Sequence, residues 1–219
     1  MTYRAVIFDI DGTLLNTLTD IADSTNAALN FFGFPGHEVN TYRYFIGDGV
    51  DALALRALPE NKPDPAIVNK LVTRIAEEYS RRFANNTHPY PGIPELLDAL
   101  TRHSIHMAIL SNKEQGFAEI SVSKLLEQWH FDIVIGVSPS VPKKPDPTGA
   151  LRIASQMKLD PSEFIYVGDS GVDIKTASAA GMYPVGALWG FRTTEELLAN
   201  GAKMLAKKPQ DVLQLINGE

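Results

Sequence analysis

No cysteine occurs among the 219 residues. That one absence excludes disulfides, thiol nucleophiles, zinc fingers and iron–sulfur clusters together. Long apolar runs are missing as well, since none approaches the roughly 18 residues a membrane span needs. No membrane partner is therefore expected. Basic residues are in deficit, with 20 Lys and Arg against 26 Asp and Glu, for a formal charge of -6. A general nucleic-acid binder carries a basic stripe, so no nucleic-acid partner is expected either. Met1 leads almost directly into Ala5-Val6-Ile7-Phe8 and then acids, without the apolar stretch and small-residue cleavage site of a secretory leader. Cytoplasmic location is the expectation.

What is present is an ordinary globular composition, 44% hydrophobic and 21% charged. The length favours one main domain with a modest insertion. Short, β-branched apolar runs each stop at a polar or glycine residue: Ala5 to Phe8, Met107 to Leu110, Ile133 to Val137, Phe164 to Val167 and Pro184 to Leu188. Such runs read as strands buried on both faces. Helix-period patterns lie between them, such as Ile93, Leu96, Leu97 and Leu100, or Ala150, Ile153, Ala154 and Met157, the latter opened by Asp146 and Pro147. Strands alternating with helices imply crossover connections and a doubly wound, mostly parallel α/β sheet.

From about Thr17 to Thr87 the alternation breaks. At least two amphipathic helices are expected, one from Thr19 to Phe32 and another after Pro65, where Ile67, Leu71, Ile75, Tyr79 and Phe83 recur every four residues. Residues 17–87 are read as an inserted all-helical cap, with 1–16 and 88–219 as the α/β core. Thr17 and Pro89-Tyr90-Pro91-Gly92 are natural hinges. Lys207-Lys208 is expected to be a solvated helix end.

Four strand ends carry candidate chemistry. Asp9-Ile10-Asp11-Gly12-Thr13 follows the first strand and sets two carboxylates two positions apart, on one side of an extended backbone. Taken alone, this is an acidic turn. Gly168-Asp169-Ser170-Gly171-Val172-Asp173 supplies a second acidic end, with Asp169 and Asp173 one helical turn apart. Ligands gather at the carboxyl ends of strands in open α/β sheets, so the two clusters are expected to meet and to suit a hard cation such as Mg²⁺. Ser111-Asn112-Lys113 offers a hydroxyl and backbone N–H groups as an anion cradle. Lys143-Lys144-Pro145 adds positive charge after another predicted strand.

This set, in this order, resembles the haloacid dehalogenase superfamily over essentially the whole chain. Within it the sequence is most similar to the phosphoglycolate phosphatase group, through Ser111-Asn112-Lys113, Ile46-Gly47-Asp48-Gly49 with Arg56-Ala57-Leu58, and Gly168-Asp169-Ser170 followed by Ala179-Ala180-Gly181 and Trp189-Gly190-Phe191. The resemblance implies that Asp9 is a nucleophile forming an aspartyl-phosphate and that Asp11 is the general acid and base. It implies Mg²⁺ held by Asp9, Asp11 through its backbone carbonyl, and Asp169, with Asp173 as a further or outer acid. Ser111 and Asn112 would bind phosphate, with Gly12 and Thr13 beside them, and Lys144 would neutralise charge. Lys113 and Arg56 could pair with a substrate carboxylate, although a solvated helix charge is the plainer reading of Arg56. Dehalogenases lack the acid two residues after the nucleophile, so Asp11 favours phosphoryl transfer. Asn16 stands where these families often carry Asp.

The expected activity is Mg²⁺-dependent hydrolysis of a small-molecule phosphate ester by a monomer or homodimer. A β-phosphoglucomutase-like phosphosugar mutase and a non-catalytic regulator retaining the fold are the alternatives.

Overall fold

Alternation within the first strand dictates the layers of the molecule. Strand β1 (Ala5–Phe8) is wholly buried. Val6 and Phe8 pack into one apolar cluster with Ile93, Leu96, Leu97 and Leu100, while Ala5 and Ile7 pack into another with Ala150, Ile153 and Ala177. Successive side chains of a strand point to opposite faces, so helices must cover both sides of this sheet. The helices that do so are α4 (Ile93–Arg102) and α5 (Gln115–Leu125) on one face and α6 (Thr148–Met157) and α7 (Gly171–Ala179) on the other.

In the computed structural model, which describes residues 3–59 and 64–217, β1 lies between β4 (His106–Glu114) and β6 (Phe164–Gly168). The six-stranded sheet continues through β5 (Ile133–Val137), β7 (Tyr183–Ala187) and β8 (Met204–Ala206) in the order β5-β4-β1-β6-β7-β8, and every pairing is parallel. The chain runs outward from β1 through β4 to β5, then returns to β6 on the other side of β1. That reversal makes the β1/β6 boundary a topological switch point, where ligands bind in such sheets.

Residues after β2 (Leu15–Asn16) build three helices, α1 (Leu18–Phe31), α2 (Val50–Ala57) and α3 (Pro65–Arg82), before β3 (His88–Pro89). Their apolar faces form a separate cluster that includes Leu29, Tyr42, Leu53, Leu71, Ile75 and Tyr79. The two crossings lie side by side, because β2 and β3 pair antiparallel with Asn16 opposite His88. Asp20, one turn into α1 and 1% exposed, accepts hydrogen bonds from Asn86 N and Nδ2 and from Thr87 N and Oγ1 at 2.7–3.0 Å. A buried carboxylate thus fastens the hinge although Asn16 itself is uncharged.

Three local details go beyond the sequence pattern. Lys207-Lys208 is exposed and stands at the start of a short 3₁₀ helix (Pro209–Val212) that Lys208 caps; it follows β8, a short strand with too weak a pattern to read, and both backbone N–H groups donate to Asp211. Helix α6 begins at Thr148, with Pro147 in the cap position, while Asp146 Oδ1 accepts from Thr148 N at 2.9 Å. The short α2, which the apolar spacing hides, stands between the two long cap helices. No helix among the described residues is long and apolar enough to cross a membrane.

Candidate active site

Strand register brings the two acidic ends together. Phe8 pairs with Val167, and Asp9 N donates to Val167 O at 3.1 Å, so the residues that follow β1 and β6 emerge at one level. Carboxylate oxygens of Asp9, Asp169 and Asp173 all lie within 4.8 Å of one another. Gly12 makes this approach possible. It sits at φ +84°, and a Cβ there would lie 2.3 Å from Asp169 Oδ2. Thr13 Oγ1 donates to Asp169 Oδ1 at 3.3 Å, and Phe191 N donates to Asp169 Oδ2 at 2.7 Å.

Lys144 enters from the segment after β5. Its Nζ lies 2.9 Å from Asp9 Oδ1 and 2.6 Å from Asp173 Oδ1. The second Asp173 oxygen accepts from Ser170 N at 3.1 Å and Ser170 Oγ at 2.6 Å, the capping box of α7. Both oxygens of Asp173 are therefore engaged in holding the lysine and the helix start. Asn112 secures the lysine's backbone, with Oδ1 accepting from Lys144 N at 2.7 Å and Nδ2 donating to Lys144 O at 3.2 Å.

Charge does not balance in this cluster. Burial, then the neighbouring Asp173 and Asp9, push Asp169 up to about 8, against the Phe191 N–H that favours its ionised form. Burial also raises Asp9 to about 6, although the Lys144 ammonium opposes it. For Lys144, burial disfavours the charge, but Asp173 and Asp9 outweigh it and hold the ammonium well above the ordinary lysine range. Three buried carboxylates face one ammonium, and no lysine or arginine among the described residues forms an ion pair with Asp169. An all-oxygen set with surplus negative charge fits a hard divalent cation. Asp9, Asp169 and Asp173 bring oxygens close enough together that they could hold one.

Asp11 turns away from that cluster. Its Oδ1 lies 3.1 Å from Lys113 Nζ, and the same ammonium donates to Tyr79 Oη at 3.0 Å and sits 4.5 Å from the Tyr79 ring. Lys113 is thus partnered by an acid and by a cap tyrosine that sequence reasoning assigned only to the cap core. Arg56 is not brought into the site. Its guanidinium bonds Asp48 Oδ2 at 2.5 Å and Phe45 O at 3.0 Å on the cap surface, so the plainer reading fits it. Lys143 likewise faces outward to Asp51 at 2.5 Å.

Above Asp9 and Asp11 lies a cavity of about 100 Å³. Ser111, Asn112, Lys113 and Phe117 bound it from the core, and Ile21, Ile46, Gly47, Val50, Leu53, Ile75 and Tyr79 from the cap. Asn112 Nδ2 also reaches the cap, donating to Gly47 O at 2.9 Å. The floor is polar and the roof apolar, an arrangement that can seat a phosphate below and a small organic group above.

Known proteins resemble this chain in sequence and in fold. A family model described as haloacid dehalogenase-like hydrolase matches residues 6–187. A phosphoglycolate phosphatase from Nitrosospira multiformis is 31% identical over 193 residues, 86% of this chain and 84% of that one. An N-acetylmuramic acid 6-phosphate phosphatase from Pseudomonas aeruginosa is 28% identical over 218 residues, covering 99% of this chain and 96% of that one. The crystal structure of an inferred phosphoglycolate phosphatase from Lactobacillus delbrueckii superposes with a TM-score of 0.93 at 26% identity, over 100% of both chains.

Proposed function

We propose that this chain, which belongs to the haloacid dehalogenase-like hydrolases and is a phosphatase, hydrolyses a small-molecule phosphate monoester with Mg²⁺ through an aspartyl-phosphate, after the manner of a phosphoglycolate phosphatase. The observation that carries this reading is the meeting of Asp9, Asp169 and Lys144 at the β1/β6 switch point, beneath a cavity closed by the cap.

A carboxylate attacking a phosphate dianion needs positive charge before the reactants can meet. Lys144 supplies part of it, held on Asp9 by Asp173 and Asn112. Asp9, Asp169 and the Asp11 carbonyl would hold Mg²⁺, which when bound would supply further charge cancellation. Ser111 Oγ and the Asn112 backbone N–H would donate to the phosphate oxygens, since the Asn112 side-chain amide is already committed to Gly47 O and Lys144 O. An Asp9 oxygen forms the new bond to phosphorus, and the bond from phosphorus to the ester oxygen breaks. Asp11 gives its proton to the departing oxygen, then accepts a proton from the water that splits the aspartyl-phosphate into free Asp9 and inorganic phosphate. The Lys113 ammonium fixes the Asp11 carboxyl by its 3.1 Å contact. Residues 17–87 act as the lid that excludes other water.

The test is a Mg²⁺-dependent screen of 2-phosphoglycolate, sugar phosphates, nucleotides and pyrophosphate, with borohydride trapping of the acyl phosphate. Phosphate release together with reduction of Asp9 to homoserine is the expected result. Glucose 1-phosphate converted to glucose 6-phosphate without free phosphate moves the chain to the mutases. Inactivity on every ester leaves a non-catalytic regulator.

A further inference from the structure

The segment after β7, Trp189-Gly190-Phe191-Arg192, takes no part in the steps above, yet it touches both halves of the molecule. Trp189 Nε1 donates to Thr13 O at 2.9 Å. Gly190 is pressed against the acidic cluster so closely that a Cβ there would lie 2.2 Å from Asp169 Cβ and 2.4 Å from Gly12 O. Phe191 gives its N–H to Asp169 Oδ2, while its side chain, 6% exposed, belongs to the cap's apolar cluster. Arg192 then crosses to the cap. Its Nη2 donates to Ile46 O at 2.8 Å and its Nη1 to Arg43 O, with Glu196 Oε1 3.5 Å from Nε. Only 10% of this side chain is exposed.

A guanidinium is a rigid fork of donors, suited to two acceptors at once in a way that an ammonium is not. Here the acceptors are backbone carbonyls of the cap loop 43–47, whose Ile46 and Gly47 line the cavity and whose Gly47 O is held from the other side by Asn112. We propose that Arg192 is a positioning residue: it fastens the cap loop 43–47 to the segment that orients Asp169, so that cap docking and the placement of this carboxylate stabilise each other. Lifting the cap strips two charge-assisted hydrogen bonds from Arg192 and the apolar neighbours from Phe191. Both losses fall beside the N–H that orients Asp169. The inference rests on the phosphatase reading for the metal that Asp169 would hold.

Coupling of this kind is reciprocal, which makes it measurable from either end. The probe is Mg²⁺ alone, added to the full chain. In wild type, Mg²⁺ should slow amide exchange at residues 43–47 by about fivefold or more. Arg192→Ala should weaken Mg²⁺ binding by calorimetry to a similar degree, remove that protection, and raise KM for the best ester more than it lowers kcat. Arg192→Lys should restore part of each effect at most, because it lacks the fork. Exchange in β1 and β6 reports whether the variants are folded, and should either unfold, the wild-type exchange decides alone. Cap-loop exchange indifferent to Mg²⁺, or an Arg192→Ala chain that binds Mg²⁺ as wild type does, overturns the coupling while ester hydrolysis persists. A wild-type chain that neither binds Mg²⁺ nor cleaves any ester overturns the phosphatase reading and the coupling together.

Discussion

The two halves of this site are built differently. On the core side, the polar groups stand at or beyond strand ends, and sheet register fixes most of them: Asp9 directly after β1, Asp169 directly after β6, Ser111 and Asn112 within the end of β4, and Lys144 in the segment beyond β5. On the cap side, the contribution is an apolar roof and a row of backbone carbonyls, offered by elements that meet the core only in the folded molecule. The difference teaches that charge placement depends on local backbone geometry, whereas the fit of a leaving group depends on docking two packed bodies.

Substitutions can break or sharpen that contrast. The largest effect should come from Asp9→Asn, with turnover falling on the order of 10⁴-fold or more while the fold is kept. Phosphate release and circular dichroism together check it, and appreciable residual activity would remove Asp9 from the nucleophile's role. Asp11→Asn should cost roughly 10²–10⁴-fold with an alcohol leaving group and much less with p-nitrophenol, which needs no proton to depart. Equal losses on both esters would defeat the acid–base assignment.

At the junction of the halves, Asp20→Ala strands the donors of Asn86 and Thr87, which should lower stability by about 2–4 kcal/mol in urea unfolding. Turnover should change far less than with either core variant, and a loss as large as that of Asp11→Asn would erase the contrast. A subtler signature is the pH dependence of the metal-free protein. Asp169 is held at about 8 against an ordinary 3.8, so the folded chain binds more protons than the unfolded chain across that interval. Thermal stability should therefore fall by a few degrees as pH rises from about 4 to about 8, and Mg²⁺ should restore most above pH 8. A midpoint flat across that range contradicts a surplus of buried negative charge. Smallest of all, Arg56→Ala removes an exposed pair worth at most about 1 kcal/mol and should leave KM within twofold. A larger rise in KM would return Arg56 to the leaving-group pocket.

Much of this was legible in the residue order, for a physical reason. Four buried strands and the half-buried edge strand β5 announce themselves as short apolar runs, and the polar residues that end most of them lie within a few positions, so strand-end chemistry can be read locally. Strand β8 could not be read so, because Met204-Leu205-Ala206 is three residues long and owes its place to pairing with β7. Tyr79 showed only its helical period, and nothing local reveals that its hydroxyl meets Lys113 across the cavity. Arg56 had two readings, since a cationic residue on a cap helix looks the same whether it faces substrate or Asp48, and its contacts fit the plainer one. Trp189-Gly190-Phe191 was visible only as a shared motif. Its use of a backbone N–H toward Asp169 leaves no mark in side-chain chemistry.

Because Asn16 and His88 are paired neighbours, the helical insertion enters and leaves the sheet at a single point. A graft cut between those two residues replaces the whole roof without touching any strand of the large sheet, since a short turn spans the gap. An exchange of the roof as one cassette should then alter substrate range while the core residues stay in place, and the incoming roof would have to accommodate Asn112, Lys113, Phe191 and Arg192, the core side chains that now meet the cap.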